Sequence, residues 1–340
     1  MKKRLLAVLM TTILALSMFT ACGGSGGSSE KEGSDSGDDY VVQIPFAGEM
    51  CSAPLNVADL KGFYEEEGVK YEIIKTGDDQ FDAVAAGKAD VIYTLLPNLI
   101  ERMSNGFELQ VVMGCHYGCL NMVAPADSDI KTVADLKGKK IGVPGLGTSP
   151  HVMLQRVLKA YDIGSTPDNM EVEILAFQDT DLVAAMEKGS IDAFMVWDPF
   201  ATQCAREDGA KLLYEQAADE STKDEDCCYI GLRPDFVKEH PDVAAAYCRA
   251  IQKACDWIAE NPEECAQLLV DNDLAGIDDV ELTAELLASY RYKAEVQIAK
   301  DAFVKSTQDL IDLGIIEIDG SAEDFTNKAF GDGIKGFDCE

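Results

Sequence analysis

Two short stretches hold residues whose types and spacing could do chemistry, and a third holds a stacking ring beside a carboxylate. The first is Pro144-Gly145-Leu146-Gly147-Thr148-Ser149. It is a glycine-rich turn between the apolar run Ile141-Gly142-Val143 and a segment with apolar residues at Val152, Met153, Val157 and Leu158. That last spacing is helical; Ser149 is a good N-cap, and Pro150 stands at the first helical position, where a missing N–H costs nothing. Strand, glycine turn and helix N-terminus aim free backbone N–H groups and the positive end of the helix dipole at one point. The hydroxyls of Thr148 and Ser149 stand beside those donors. This arrangement suits a polar group, although a capped helix after a tight turn explains the same residues. No Gly-Lys-Ser/Thr follows, so the turn is not a nucleotide phosphate loop.

The second stretch is Gly114-Cys115-His116-Tyr117-Gly118-Cys119. Two thiols and an imidazole this close could ligate a metal. No second paired set lies nearby, so the zinc pattern is incomplete, and the order is not that of haem attachment. A disulfide or a structural pair of thiols accounts for it equally. The third stretch is Trp197-Asp198-Pro199, after the apolar run Ala193–Val196. A Trp can stack on a ligand and an Asp can accept a hydrogen bond; core packing and helix capping are the plainer roles. His151 at a helix start could act as a base, but no Ser-His-Asp or Cys-His order with supporting context accompanies it.

The elements that must position these residues fit a chain of 340 residues, long enough for two domains, with 47% hydrophobic content. The formal net charge of −32 argues against nucleic acid as a partner. It also leaves an anionic ligand to be held by local dipoles and hydroxyls. Lys2, Lys3 and Arg4 precede an apolar run from Leu5 to Phe19, which is an export signal too short for an ordinary spanning helix. Phe19-Thr20-Ala21-Cys22 resembles a bacterial lipobox, which implies lipidation of Cys22; an ordinary secretory signal with an incidental cysteine is the alternative. Gly23 to Asp39 is Gly, Ser and acidic residues, a flexible tether. The chain is therefore expected on the outer face of the bacterial cytoplasmic membrane, lipid-anchored.

The phrase DLKGKKIGVP with its following turn, the opening APLNVADLKGFYEEEGVKYEII, GSIDAFMVWDPFA, and RPDFVKEHPDVAAAYCRAIQKACDWIAENPEE carry a resemblance over residues 41 to 335. They resemble the SsuA/NMT1-type solute receptors of ABC importers, which carry nitrate, sulfonates, taurine and the thiamine pyrimidine precursor. The resemblance implies an α/β, type II periplasmic-binding-protein fold, two α/β lobes joined by a two-crossing hinge. Its divisions are a signal peptide at 1–21, the lipidated Cys and tether at 22–39, a first lobe at 40–124 plus 230–340, and a second lobe at 125–229. It implies a monomer that captures a small organic solute by lobe closure and delivers it to a permease, with no catalytic residues, no cofactor and no resident metal.

The ligand-side residues implied are Cys51 and Ser52 in the opening loop, Thr94 just past the strand Ala89–Tyr93, His116 and Cys119, Gly147, Thr148 and Ser149, and Trp197 with Asp198. The family usually has small polar residues where this chain has His116 and its thiols. A receptor for a metal or metal complex is therefore one alternative. A pyrimidine-synthase-like enzyme is another, since a eukaryotic synthase of this fold class carries a cysteine run that Cys227-Cys228 resembles. No Arg stands in the phrases placed at the cleft, so a neutral or aromatic solute is as compatible as a sulfonate. Cys51, His116, Cys119 and Cys227 are expected near the ligand, and Cys248, Cys255 and Cys265 away from it. The pattern also predicts one helix over 55–66, a strand over 109–113 that ends before Gly114, and a weak tail from Asp324.

Overall fold

Every second side chain of the run Ala193–Val196 enters a different core. In the computed structural model, which describes residues 39–76, 80–207 and 209–339, Ala193 and Met195 pack with Leu120, Met122, Ile141 and Val143. Phe194 and Val196 pack on the opposite face with Val123 and Leu182. A strand covered on both faces needs an unbroken apolar run, because its side chains alternate.

In chain order the strands are β1 (Val41–Pro45), β2 (Lys70–Ile74), β3 (Val91–Leu95), β4 (Gln110–Tyr117), β5 (Leu120–Pro125) and β6 (Lys140–Val143). They continue with β7 (Ser165–Thr166), β8 (Asn169–Met170), β9 (Glu173–Ala176), β10 (Ala193–Trp197), β11 (Ala210–Glu215) and β12 (Asp226–Leu232). A five-stranded mixed sheet has the order β11-β5-β10-β6-β9, with β5 antiparallel to both its neighbours. A three-stranded antiparallel sheet has the order β3-β12-β4, and β1 pairs with β2 in parallel. Asp90 sews β1 beside β3: its Oδ2 accepts from Gln43 N–H at 2.8 Å, and its own N–H donates to Gln43 O at 3.0 Å. The pair β7-β8 is a small separate hairpin.

Two crossings connect the sheets, one between Tyr117 and Leu120 and one between Glu215 and Asp226. They touch. A Cβ on Gly118 would lie 2.4 Å from Ala217 N, which leaves room only for glycine. Gln216 pins the contact: its Oε1 accepts from Cys119 N–H at 3.2 Å and Leu120 N–H at 3.1 Å, and its N–H donates to Asn121 Oδ1 at 3.2 Å. Leu120–Pro125 thus belongs to the five-stranded sheet, whereas the sequence places 120–124 in the first lobe. Likewise 226–229 belong with β3 and β4, not with the second lobe. An apolar run suits either sheet, and only the position of the crossings decides.

Three further expectations are corrected. Gly62 in the left-handed region (φ 75°) breaks the expected 55–66 helix into Ala53–Leu60 and Phe63–Glu66. Strand β4 runs on through His116, because it pairs with β12 as far as Tyr117. Residues Ala322–Phe330 form a helix with a reciprocal Ser321/Asp324 capping box where a weak tail was expected.

The two sheet regions press against each other and the described residues form one compact unit. Arg156 on helix Ser149–Ala160 is buried; its guanidinium donates to Glu225 Oε2 at 2.8 Å and Asp309 Oδ2 at 3.1 Å. Lys159 pairs with Asp309 at 2.8 Å and Asp312 at 2.7 Å. Arg206 pairs with Glu285. Cys22, the export signal and most of the tether lie outside the described residues. Among the described residues, no helix is long and apolar enough to cross a membrane.

Candidate functional site

The C-terminal ends of β1 and β3 open into a cavity of ≈ 250 Å³. It is lined by the loop Phe46–Glu49, by Cys51 and Ser52 on the turn Met50–Ser52, and by Gln80, Tyr93, Thr94, Leu95 and Cys228. Such strand ends are where ligands bind in α/β sheets. A larger hollow of ≈ 350 Å³ lies around Lys159, Ser165, Asn169 and Leu313 and is lined by no residue of the chemical stretches. The turn carrying Cys51 is held from beneath: Tyr93 Oη donates to Cys51 O at 2.7 Å and Tyr292 Oη to Met50 O at 3.0 Å. Thr94 lies within β3, opposite Tyr229, rather than just past it.

Glu49 and Cys51 form the rim. Cys51 Sγ donates to Glu49 Oε2 at 3.7 Å. The charge on Cys51, burial, and Asp179 from the other sheet region together push the Glu49 carboxyl up to about 7.

Behind Cys228, which lines the cavity, lie His116, Cys119 and Cys227; all four are buried. The register of β12 against β4 shifts on both sides of Cys228, and this irregularity lets two adjacent cysteines reach Cys119. Hydrogen bonds from Cys119 and Cys228 hold the Cys51 thiol well below its usual range. Burial raises Cys227, but hydrogen bonds from the same two thiols outweigh it and bring Cys227 down. Cys119 is pushed up, first by its bond to Cys227, and Cys228 is pushed up by burial. Burial and mutual hydrogen bonding thus shift Cys51 and Cys227 down and Cys119 and Cys228 up. Cys248, Cys255 and Cys265 are buried on helices.

The residues predicted on the other sheet region do not line the cavity. Thr148, not Ser149, is the N-cap residue of helix Ser149–Ala160, and its Oγ1 donates to Gly145 O at 2.7 Å instead of capping. Gly147 has φ 81°, and its N–H is already taken by His151 Nδ1 at 3.0 Å. Burial lowers the His151 pKa. Ser149 Oγ is buried with no hydrogen-bond partner. Trp197 is half-buried between the two cores of the five-stranded sheet.

Asp198 is fully engaged: Oδ1 accepts from Thr202 N–H at 3.0 Å and Thr202 Oγ1 at 2.9 Å, and Oδ2 from Asn121 Nδ2 at 2.5 Å. Burial, partly offset by Thr202, pushes its carboxyl up to about 6. It caps helix Phe200–Glu207, and its N–H donates to Cys119 O at 2.9 Å.

Sequence reasoning missed Glu49, Gln80, Tyr93 and Cys228 as cavity residues. The adjacent thiols at 227 and 228 were visible, but strand alternation gives no reason to choose Cys228 without the pairing register.

Two α/β sheet regions, joined by two touching crossings, with a small cavity at the strand ends of one of them, define a solute-binding protein of the periplasmic-binding-protein fold. The chain belongs to the NMT1/THI5-like family, whose model matches residues 50–265. It is 27% identical over 316 residues to the "Putative aliphatic sulfonates-binding protein" of Bacillus subtilis (strain 168), covering 90% of this chain and 88% of that one. It is 33% identical over 227 residues to the taurine-binding periplasmic protein of Escherichia coli (strain K12), covering 66% and 68%. The crystal structure of the periplasmic aliphatic sulphonate binding protein SsuA from Escherichia coli superposes with TM-score 0.68 at 17% identity, over 85% of this chain and 92% of that one. That likeness carries the fold.

Proposed function

We propose that the protein captures a small uncharged organic solute outside the cytoplasmic membrane and passes it to an ABC-importer permease, tethered by lipid on Cys22. One observation carries the choice of solute: the cavity at the strand ends is lined by a carboxyl, thiols, hydroxyls and aromatic rings, with no Lys or Arg among them. A sulfonate, taurine or nitrate carries an anionic group best held by charge-assisted donors, whereas this cavity offers neutral hydroxyl, thiol and amide donors. Here Glu49 stands at the rim instead. The touching crossings at Gly118 and Ala217 act as the hinge, and the ion pairs of Arg156, Lys159 and Arg206 hold the closed arrangement. Opening parts those pairs and exposes Thr148, Ser149 and Trp197 to the solute.

Binding without turnover suits the histidines. His151 is committed to the glycine turn and His240 stacks on Tyr40 at 3.9 Å. His116 is enclosed by Tyr290 and Tyr292. The relatives, too, are named as binding proteins. Mass spectrometry of solute released from the purified protein tests the reading. An uncharged organic compound is expected; tight titration by taurine, an alkanesulfonate or nitrate overturns the choice of solute.

A further inference from the structure

Metal-ligating side chains converge behind the cavity floor. An imidazole nitrogen of His116 and the sulfurs of Cys119 and Cys228 lie within 4.8 Å of one another, and all three residues are buried. The Cys227 sulfur is 3.3 Å from that of Cys119. Cys51 interacts with Cys119 and Cys228 from the cavity side but lies outside that 4.8 Å group. All four cysteines are free thiols.

The histidine is set up as a ligand. Its Nδ1 lies 2.8 Å from Tyr117 O, and a carbonyl can only accept, so Nδ1 carries the proton and Nε2 the lone pair. Nε2 is buried with no hydrogen-bond partner. Stacking on Tyr290, with ring centres 5.3 Å apart, and packing on Tyr292 fix the ring. A buried acceptor left unpaired is costly. A disulfide between Cys119 and Cys227 would not relieve it, whereas a cation would.

We propose that His116 Nε2, Cys119 and Cys228 bind a thiophilic closed-shell cation, Zn(II) or Cu(I), with Cys51 moving in from the cavity side to complete the shell. Thiolate and imidazole ligands select such ions over hard cations, which need oxygen. Bonds of about 2.3 Å to sulfur and about 2.0 Å to nitrogen set tetrahedral ligand atoms within about 4 Å of one another. The triad meets that spacing with a contraction of under about 1 Å. Each thiol that ligates gives its proton to solvent as the metal–sulfur bond forms, so no oxidant or reductant is consumed. Cys227 stays with Gln216 Oε1, 3.4 Å away, as an outer partner. Cys51 is half-buried and faces the cavity, which gives the ion an entry path. The site stands whichever solute the cleft takes.

The test uses the full chain, isolated anaerobically with its thiols kept reduced by a phosphine. Zn(II) and Cu(I) are titrated separately against competing chelators, with Co(II) as the optical reporter of thiolate ligation. One ion per chain is expected, and the two titrations tell which cation is preferred. Cys119→Ser and Cys228→Ser should each weaken binding beyond the roughly 10–100-fold typical of losing an outer partner; Cys248→Ser should not. Because serine at a buried position can misfold the chain, alkylation of the wild type supplies a second reading. Bound metal should slow iodoacetamide labelling of Cys51 at least about tenfold, since a ligated thiolate is withheld from attack. If the protein is isolated with a Cys119–Cys227 disulfide, reduction must restore binding. Failure of the fully reduced wild type to hold either ion, or binding that leaves both Cys51 labelling and the Cys119→Ser titration unchanged, overturns the site.

Discussion

Replacing Asp198 with Asn should remove a defined part of the protein's pH dependence. The carboxyl is buried, and its pKa rises from 3.8 to about 6. A shift of about two units at about 1.4 kcal/mol each corresponds to about 3 kcal/mol. The sign follows from the direction: the folded state favours the protonated acid more than the unfolded state does. The contribution is therefore fully present below pH 3.8 and is lost as pH rises through about 6. Asp198→Asn keeps an oxygen for Thr202 but turns an amide toward Asn121 Nδ2, and Asn121 cannot flip freely because its Oδ1 accepts from Gln216. That mismatch costs about 1–3 kcal/mol at every pH, so only the slope is diagnostic. Urea unfolding of wild type and variant across this range should show the wild type losing about 3 kcal/mol relative to Asp198→Asn. Parallel profiles would refute the reasoning and mean that Asp198 is better solvated than its position implies.

Gly118→Ala should destabilise the protein by about 2 kcal/mol or more, or force the crossings apart, because its Cβ would sit 2.4 Å from a backbone nitrogen; thermal unfolding and small-angle scattering together report which. The paired substitution Thr148→Ala with Ser149→Ala should weaken solute binding by about 1–3 kcal/mol by calorimetry, and the solute should change Trp197 fluorescence. Unaltered affinity removes the glycine turn from the site. Cys22→Ser should move the protein from the membrane fraction to the medium or periplasm; a wild-type mature chain without lipid mass would end the anchoring proposal.

Local signals in the sequence were legible where the structure is locally determined. The strand–turn–helix from Lys140 to Ala160 rests on apolar spacing, glycine and proline, and all three act within a few residues. Its cap was misread by one position because Thr148 and Ser149 are both hydroxyl residues able to start a helix. The sheet to which Leu120–Pro125 belongs was not legible. An equally apolar strand fits either core, and the decision rests on a contact between residues about a hundred positions apart. His116 was placed beyond its strand, which was ended before Gly114. Instead, glycine is needed there within the strand, since a Cβ would fall 2.2 Å from the Asp226 carboxyl carbon. The cavity role of Cys228 depends on an irregular register that no residue pattern encodes.

The touching crossings also give the chain the architecture of an insertion. Strands β5 to β11 come from one unbroken segment, while the β3-β12-β4 sheet and its helices are assembled from what precedes and follows it. The segment enters at Gly118 and leaves at Ala217, and those points abut. A piece whose ends abut can be exchanged for a relative's, or bridged by a very short linker, without stretching the host. What the graft must match is not the joint but the facing charges, Arg156 and Lys159 against Asp309 and Asp312. A grafted lobe lacking those cations would leave Asp309 and Asp312 unanswered at that distant seam.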